Sequence, residues 1–221
     1  MAETKPAFSV AKHPEGFQTL ANGRPLKTPK GHPLFYPTQP LAEKTATQLA
    51  DKALEAPFYK LMSFAIDMDR AALEEELIEH FDTDLVCYFA DQPADLAARQ
   101  KETWQPILDW AEAQGIAPVQ TTDTTAPLTQ PAKTKNALKA QLKDLSAPVF
   151  VAAFISGKLA GSVLTGLAMA KGEVDARQAH TIAHTDELYQ QRRYGADDEL
   201  SQNLSNSLAH FREIEEFLEL S

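Results

Sequence analysis

The chain has 221 residues, 43% hydrophobic and 24% charged, the balance of a globular protein with one large domain or two small ones. With 31 acidic and 21 basic side chains its formal net charge is −10, which argues against nucleic acid as a general partner, since phosphate neutralisation needs clustered Lys and Arg. The single cysteine, Cys87, excludes an internal disulfide and fits a reducing compartment. The opening MAETKPAFSV has no Arg-rich amphipathic leader and no apolar signal core, so a bacterial cytoplasmic location is expected. The charge is uneven. Residues 1–33 hold five basic and two acidic groups, whereas residues 173–221 hold four basic and 11 acidic. That acidic end can steer a basic partner or simply keep the chain soluble.

The first third is punctuated by Pro and Gly. Phe17–Leu20 and Arg24–Thr28 read as short strands joined by Asn22-Gly23, a strong hairpin signal because both turn positions favour positive φ. Leu34–Tyr36 reads as a third strand. Pro25, Pro29, Pro33 and Pro37 forbid a helix here and confine strands to edges, so residues 8–37 are predicted to form a small antiparallel sheet. Thr38 is placed to cap a helix that starts near Pro40 and runs to about Leu54. Phe58–Met68 is apolar and ambiguous in type. Asp69 can cap a following helix with Leu73, Leu77 and Ile78 at helical spacing.

Asp82, Asp84 and Cys87 lie close together but lack a fourth metal ligand. Pro93–Gly115 predicts a helix with Leu96, Gln100, Trp104, Ile107 and Trp110 near one face and Gly115 as its C′ residue. Ala117–Thr122 can return as a strand to the N-terminal sheet. From about Lys133 onward the pattern is helical. Val149–Ala170 is almost uncharged and about long enough for a bilayer, but Lys158 near its middle would be costly in lipid. It is expected instead as one buried central helix, with Gly157 and Gly161 permitting close approach of a neighbour. Leu204, Leu208, Phe211, Ile214, Phe217 and Leu218 make Leu200–Leu220 amphipathic. The expected fold class is α+β. A small N-terminal antiparallel sheet domain (1–68) is followed by a larger all-helical C-terminal domain (69–221).

The stretch Val174–Leu200 is the least hydrophobic long helix candidate. On one helix, His180, His184, Glu187, Gln191 and Tyr194 fall on a single polar stripe, which is either solvated or held in a groove that supplies partners. The sequence contains no Walker loop, GxGxxG, HExxH or GxSxG. His180 and His184 have metal-ligand spacing, but Thr181 stands where a zincin would carry its glutamate. A metal-dependent or acid–base enzyme using His180, His184 and Glu187 is therefore the alternative to a binding protein.

Four blocks in order carry a resemblance: Leu20–Ala42, Asp82–Tyr88, the Gln100, Trp104, Pro106 and Trp110 helix, and Asp186–Gly195 (DELYQQRRYG). Together they resemble the ATP synthase assembly factor 2 family over nearly the whole chain. The resemblance implies an N-terminal α+β domain, a C-terminal helical domain, no enzymatic activity and no cofactor. The partner it implies is the free alpha subunit of F-type ATP synthase, bound in the cytoplasm of bacteria or the mitochondrial matrix of eukaryotic relatives, with no stable membrane insertion. The family's functional acidic residue falls on Glu187. Asp186 lies beside it, and Gln190, Gln191, Tyr194 and His184 complete the expected client-binding set. Two departures stand out. Gln48-Leu49 replace the usual Glu-Trp pair, and Tyr194 replaces the usual Trp before the glycine.

Overall fold

The computed structural model describes residues 6–123, 128–195 and 197–221. Contacts divide the chain into two compact units. The first comprises the chain up to Asp69 with Ser146–Ala152 and Glu216–Ser221, and the second comprises Arg70–Leu145 and Ala153–Glu215.

The first unit is built on a three-stranded antiparallel sheet, β1 (Phe8–His13), β2 (Gly16–Ala21) and β3 (Arg24–Pro25), in that order. Asn22 and Gly23 turn β2 into β3 with φ of 49° and 77°, the positive pair expected of Asn-Gly. The strand at Phe8–His13 opens the sheet predicted over residues 8–37. It forms because β2 offers it a full antiparallel register. The expected third strand shrinks to isolated bridges, Lys27 with Pro33 and Phe17 with Tyr36, since each proline removes a ladder donor. At Gly16 a Cβ would collide with the Tyr36 carbonyl, so only glycine admits the close Phe17–Tyr36 pairing.

Helix α1 (Gln39–Lys52) packs on β1 and β2 through Leu41, Ala42, Thr45 and Leu49. Thr38 Oγ1 accepts the Leu41 N–H at 3.3 Å, as a cap should. The ambiguous apolar run becomes α2 (Pro57–Asp67), with Pro57 at its start. Gln48 Oε1 accepts the orphan Phe58 N–H at 3.0 Å. Phe217 packs edge-on against Phe58, ring centroids 5.4 Å apart. Asp67 draws the 28–32 loop onto the end of α2. His32 Nδ1 lies 2.7 Å away, Thr28 donates at 2.8 Å and the Lys30 N–H at 3.2 Å. Burial alone would raise the Asp67 carboxyl, but those bonds outweigh it and hold it below its ordinary value.

The second unit is helical: α3 (Arg70–His80), α4 (Ala94–Ala113), α5 (Ala132–Lys143), the later part of α6 (Ala147–Ala160), α7 (Val163–Ala170), α8 (Ala176–Ala183), α9 (Thr185–Tyr194) and most of α10 (Asp198–Leu220). Ala117–Thr122 does not join the N-terminal sheet. Thr121 bridges Tyr88 in parallel, and Gln130 grips both backbone groups of Val119 at 2.8 and 2.9 Å. A carboxamide supplies the pairing that a strand would otherwise need. Helix α4 ends at Gly115 (φ 81°) in a Schellman arrangement, with Ile116 N–H on Ala111 O and Gly115 N–H on Glu112 O, both at 2.9 Å.

Val149–Ala170 is not one helix. Gly161 takes φ 63°, and Ser162 then caps α7 by accepting the Thr165 N–H at 3.1 Å. Val163–Met169 are all buried, so α7 is the core of this unit. Its N-terminus is satisfied from outside by Asp84, whose Oδ2 accepts the Leu164 N–H at 3.1 Å while Oδ1 accepts the Val86 N–H at 3.3 Å. Full burial raises the Asp84 carboxyl to about 6, against the lowering effect of Ser162 and those N–H groups. Lys158 reaches the surface and pairs with Glu76 at 2.9 Å. Among the described residues no helix is long and apolar enough to cross a membrane.

The close approach in this core is made by Gly157 and Gly166. A Cβ on Gly166 would lie 2.6 Å from the Gly157 backbone, whereas one on Gly161 would have only Leu85 Cβ, at 3.9 Å, within 4 Å. Gly161 therefore serves the chain break and not the packing expected of it. Gly166→Ala should cost about 3 kcal/mol or more by overpacking, and Gly161→Ala only about 1 kcal/mol through its backbone conformation. Chemical denaturation of the two variants measures this, and equal losses would reject the assignment. Asp84 gives a second test. With its ordinary value near 3.8 and its folded value near 6, the folded state takes up the proton first as pH falls. The stability it contributes is therefore gained between about pH 6 and pH 4 and lost as pH rises through 6. Relative to Asp84→Asn, the native chain should gain about 2 kcal/mol between pH 7 and pH 4.

Candidate functional site

The polar stripe of residues 180–194 is broken in the middle. Asp175 and Gln178 start α8 with a reciprocal capping box, each bond 2.8 Å. The helix ends at His184, whose φ of −116° leaves the α region, and α9 begins at Thr185. A break inside a helical run frees backbone carbonyls that need partners. Ile182 O receives two, the Trp104 indole N–H at 3.0 Å and the Thr185 hydroxyl at 3.2 Å.

One turn before Trp104 on α4, Gln100 is only 2% exposed. Its Nε2 donates to Asp186 Oδ1 at 2.7 Å and its Oε1 accepts the Ala90 N–H at 2.6 Å. A buried carboxamide bonded at both ends fixes the first turn of α9 against α4. Asp186, expected beside Glu187 in the client-binding set, is thus engaged by the fold.

The two histidines face α10. His180 Nε2 lies 3.0 Å from Leu204 O, so this nitrogen carries the proton, because a carbonyl can only accept. Burial, then His184, pushes His180 below the ordinary imidazole value and keeps it neutral. His184 Nε2 lies 2.7 Å from Ser207 Oγ. The rings are 4.8 Å apart, and Phe211 meets His180 edge-on. Both Nε2 atoms are committed to holding α10. Among the described residues no three His, Cys, Asp or Glu side chains converge as a metal site. The spacing of His180 and His184 serves their packing against α10. The Cys87 thiol is buried, and burial raises its pKa, which makes it a poor nucleophile.

Of the remaining expected residues, His184 is tied to α10 through Nε2, and the others differ in exposure. Glu187 is half-exposed; its Oε1 lies 3.7 Å from the buried His184 Nδ1, and it does not pair with Arg192 or Arg193. His184 holds the Glu187 carboxyl below its ordinary value. Gln191 is half-buried, Gln190 is exposed and Tyr194 is 76% exposed. A cluster absent from the sequence reading adjoins them. Arg193 donates to Asp95 Oδ2 at 2.9 Å and to the Tyr189 hydroxyl at 2.7 Å, and Tyr189 also donates to Asp95 at 2.9 Å. The guanidinium carbon stands 5.9 and 5.8 Å from the Tyr189 and Tyr194 ring centroids. Tyr189 and Arg193 at i, i+4 were visible, but their tie to Asp95 on α4 needed the tertiary fold. This leaves a row of preorganised Arg and Tyr side chains on α9, the residue types that dominate protein interfaces.

Residues 5–112 match the model of the ATP12 chaperone protein. The crystal structure of Atp12 from Paracoccus denitrificans is 30% identical, covers 97% of this chain and 95% of its own, and superposes with a TM-score of 0.87. The chain belongs to the ATP12 chaperone family. An Asp-to-Lys mutant of P. denitrificans Atp12p matches at 29% identity with the same coverage and TM-score. The Atu1473 protein of Agrobacterium tumefaciens, a candidate chaperone, matches at 29% identity, 96% of this chain and 83% of its own, again with a TM-score of 0.87. The α+β architecture described above is thus the ATP12 fold, and the family is one of ATP synthase assembly chaperones. Within that fold the departure at Gln48-Leu49 is accounted for locally. Leu49 is buried under the sheet and Gln48 caps α2. The departure at Tyr194 leaves an exposed aromatic ring in place of Trp.

If Gln100 sets the position of α9, Gln100→Leu should cost about 2–3 kcal/mol, because it strands the Asp186 carboxylate and the Ala90 N–H. Glu187→Gln should stay within about 0.5 kcal/mol of the parent, as expected of a partly exposed pair. Thermal melts of both variants check the contrast, and a neutral Gln100→Leu would sink it.

Proposed function

We propose that the chain is a molecular chaperone that binds the unassembled alpha subunit of F-type ATP synthase and supports assembly of the catalytic head. The observation that carries this reading is the division of labour along α9. Asp186 is used by the fold, whereas Gln190 and Tyr194 are exposed and Glu187 and Gln191 are half-exposed beside them. An unassembled subunit exposes a large, partly apolar surface that aggregates. A chaperone must cover that surface yet later release it. Polar and charged contacts serve this because they orient a partner without a large dry interface. The Tyr189–Arg193–Tyr194 group supplies rigid anchors at low entropic cost. This reading assigns no catalytic residue, cofactor or nucleic acid, and sets the work in the bacterial cytoplasm.

The sharpest test is Glu187→Lys. Among the described residues its only ion-pair partner is His184 at 3.7 Å in a half-exposed setting, a contact worth roughly 0–1 kcal/mol. The variant should therefore stay folded, with its melting midpoint little changed. It should lose recovery of purified alpha subunit in a pull-down and fail to restore assembled ATPase in a strain lacking the native gene. Tyr194→Ala should weaken alpha binding about tenfold, as loss of an interface aromatic does. Wild-type recovery with Glu187→Lys would remove this residue from the site. Failure of the parent chain to bind alpha would reject the client.

A further inference from the structure

Between Glu187 and α10 stands one buried atom that the fold leaves without a hydrogen bond. His184 Nδ1 is enclosed and unpartnered among the described residues, with Glu187 Oε1 3.7 Å away. On the other side of the ring, Nε2 lies 2.7 Å from the oxygen of the buried Ser207. A neutral imidazole carries one proton, so one nitrogen donates and the other accepts. With the proton on Nε2, the bare lone pair of Nδ1 would face a carboxylate, and Ser207 would have to accept, leaving its own hydroxyl proton without an acceptor among the described residues. With the proton on Nδ1, the Ser207 hydroxyl donates to Nε2 and the Nδ1–H faces Glu187. Only the second arrangement gives each polar group a complementary neighbour. It also agrees with the Glu187 carboxyl, which His184 holds below its ordinary value against the burial that raises it. His180, its ring 4.8 Å away, has the opposite tautomer, since its Nε2 must donate to the Leu204 carbonyl.

We propose that His184 is a positioning residue for Glu187: Ser207 donates to its Nε2, its proton sits on Nδ1, and that N–H sets the direction in which the half-exposed Glu187 carboxylate is presented to the alpha subunit. At 3.7 Å the pair is longer than a formed hydrogen bond, so the force is a charge–dipole attraction that narrows the rotamers of Glu187 without locking them. A surface glutamate gives up rotamer freedom when a partner binds it, and narrowing that freedom beforehand lowers the cost of binding. The ring can act as a guide because it is itself fixed. It stands at the junction of α8 and α9, tied to α10 through Ser207. The proposal rests on the client reading above, and deepens it by naming the group that aims Glu187.

Two measurements on the full chain test this. Long-range proton–nitrogen correlation NMR at about pH 8, above the ordinary imidazole value, reports which ring nitrogen carries the proton. His180 should show the Nε2–H tautomer and His184 the Nδ1–H tautomer, and Glu187→Ala should erode the latter. An Nε2–H tautomer at His184 in the parent chain would overturn the proposal and leave the client reading untouched. The second measurement is binding of purified alpha subunit by two variants that split the functions of the ring. An Asn side-chain nitrogen falls where Nδ1 stands, and a Gln side-chain nitrogen where Nε2 stands. His184→Asn therefore keeps a donor toward Glu187 and gives up Ser207, and His184→Gln does the reverse. His184→Gln should weaken alpha binding about tenfold, the low end for a hydrogen bond to a charged group, and His184→Asn by no more than about twofold. Melting midpoints should run the other way, with His184→Gln closer to the parent, because Ser207 is the contact that holds α10. A binding order that follows the melting order would leave His184 with a purely structural role and overturn the proposal. Parent-like binding by His184→Gln, with Glu187→Ala weakened, would overturn it too and keep Glu187 in the site. Parent-like binding by Glu187→Ala would overturn both.

Discussion

Two side chains one turn apart on α4 set the position of α9. Trp104 and Gln100 hold the break between α8 and α9, one through the carbonyl of Ile182 and the other through the carboxylate of Asp186. A helix broken at His184 must have its freed backbone groups met, or the ten residues of α9 would fray into water. Trp104, 1% exposed, makes its bond in the interior where water cannot compete, and Gln100, 2% exposed, meets Asp186 in a part-buried setting. Glu187, Gln190, Gln191 and Tyr194, all on α9, inherit their position from this buried pair.

The same logic of borrowed partners recurs through the second unit. Asp84 caps α7 from a separate turn, Arg70 donates to the Leu142 and Leu145 carbonyls that end α5, and Gln130 completes the backbone of Val119. In each case an orphan group at the end of an element is satisfied by a side chain distant in sequence. This lets short helices of eight to ten residues, marginal alone, stand as parts of a core. It also commits charged groups to the fold. An acidic residue in this chain is therefore not a functional signal until its partners are known.

The sequence made much of the scaffold legible for local reasons. Asn22-Gly23, Thr38, Gly115 and the spacing of Leu204, Phe211 and Phe217 act through neighbours within a few residues, and each appears where it was expected. The misreadings arise where a break in an element or a distant partner could not be read from composition. Val149–Ala170 looked continuous because composition does not show that Gly161 adopts positive φ and Ser162 turns its hydroxyl back to Thr165. The polar stripe looked like one surface because a helical wheel assumes unbroken geometry, and the kink at His184 divides it. Gln100 and Trp104 were visible on the right face of α4, but as packing residues. A glutamine on an otherwise apolar face was the one available sign that something polar must meet it.

The division of that stripe bears on how a chaperone can be both stable and yielding. His180 and His184 spend their Nε2 atoms on Leu204 and Ser207, so the polar character of α8 is consumed in anchoring α10. Glu187 stands at the boundary, near enough to His184 for its carboxylate to be favoured, yet half-exposed. Past it, α9 bonds to the fold through the exposed Asp95–Tyr189–Arg193 group, whose ion pair exchanges readily with solvent or with a partner's charge. Hydrogen bonding thus grades from part-buried at Asp186 to exposed and replaceable at Arg193 within two turns of helix. On the proposed reading, a client docking there would replace weak surface bonds and leave the buried ones in place, so that binding and release would not require α9 to leave α4.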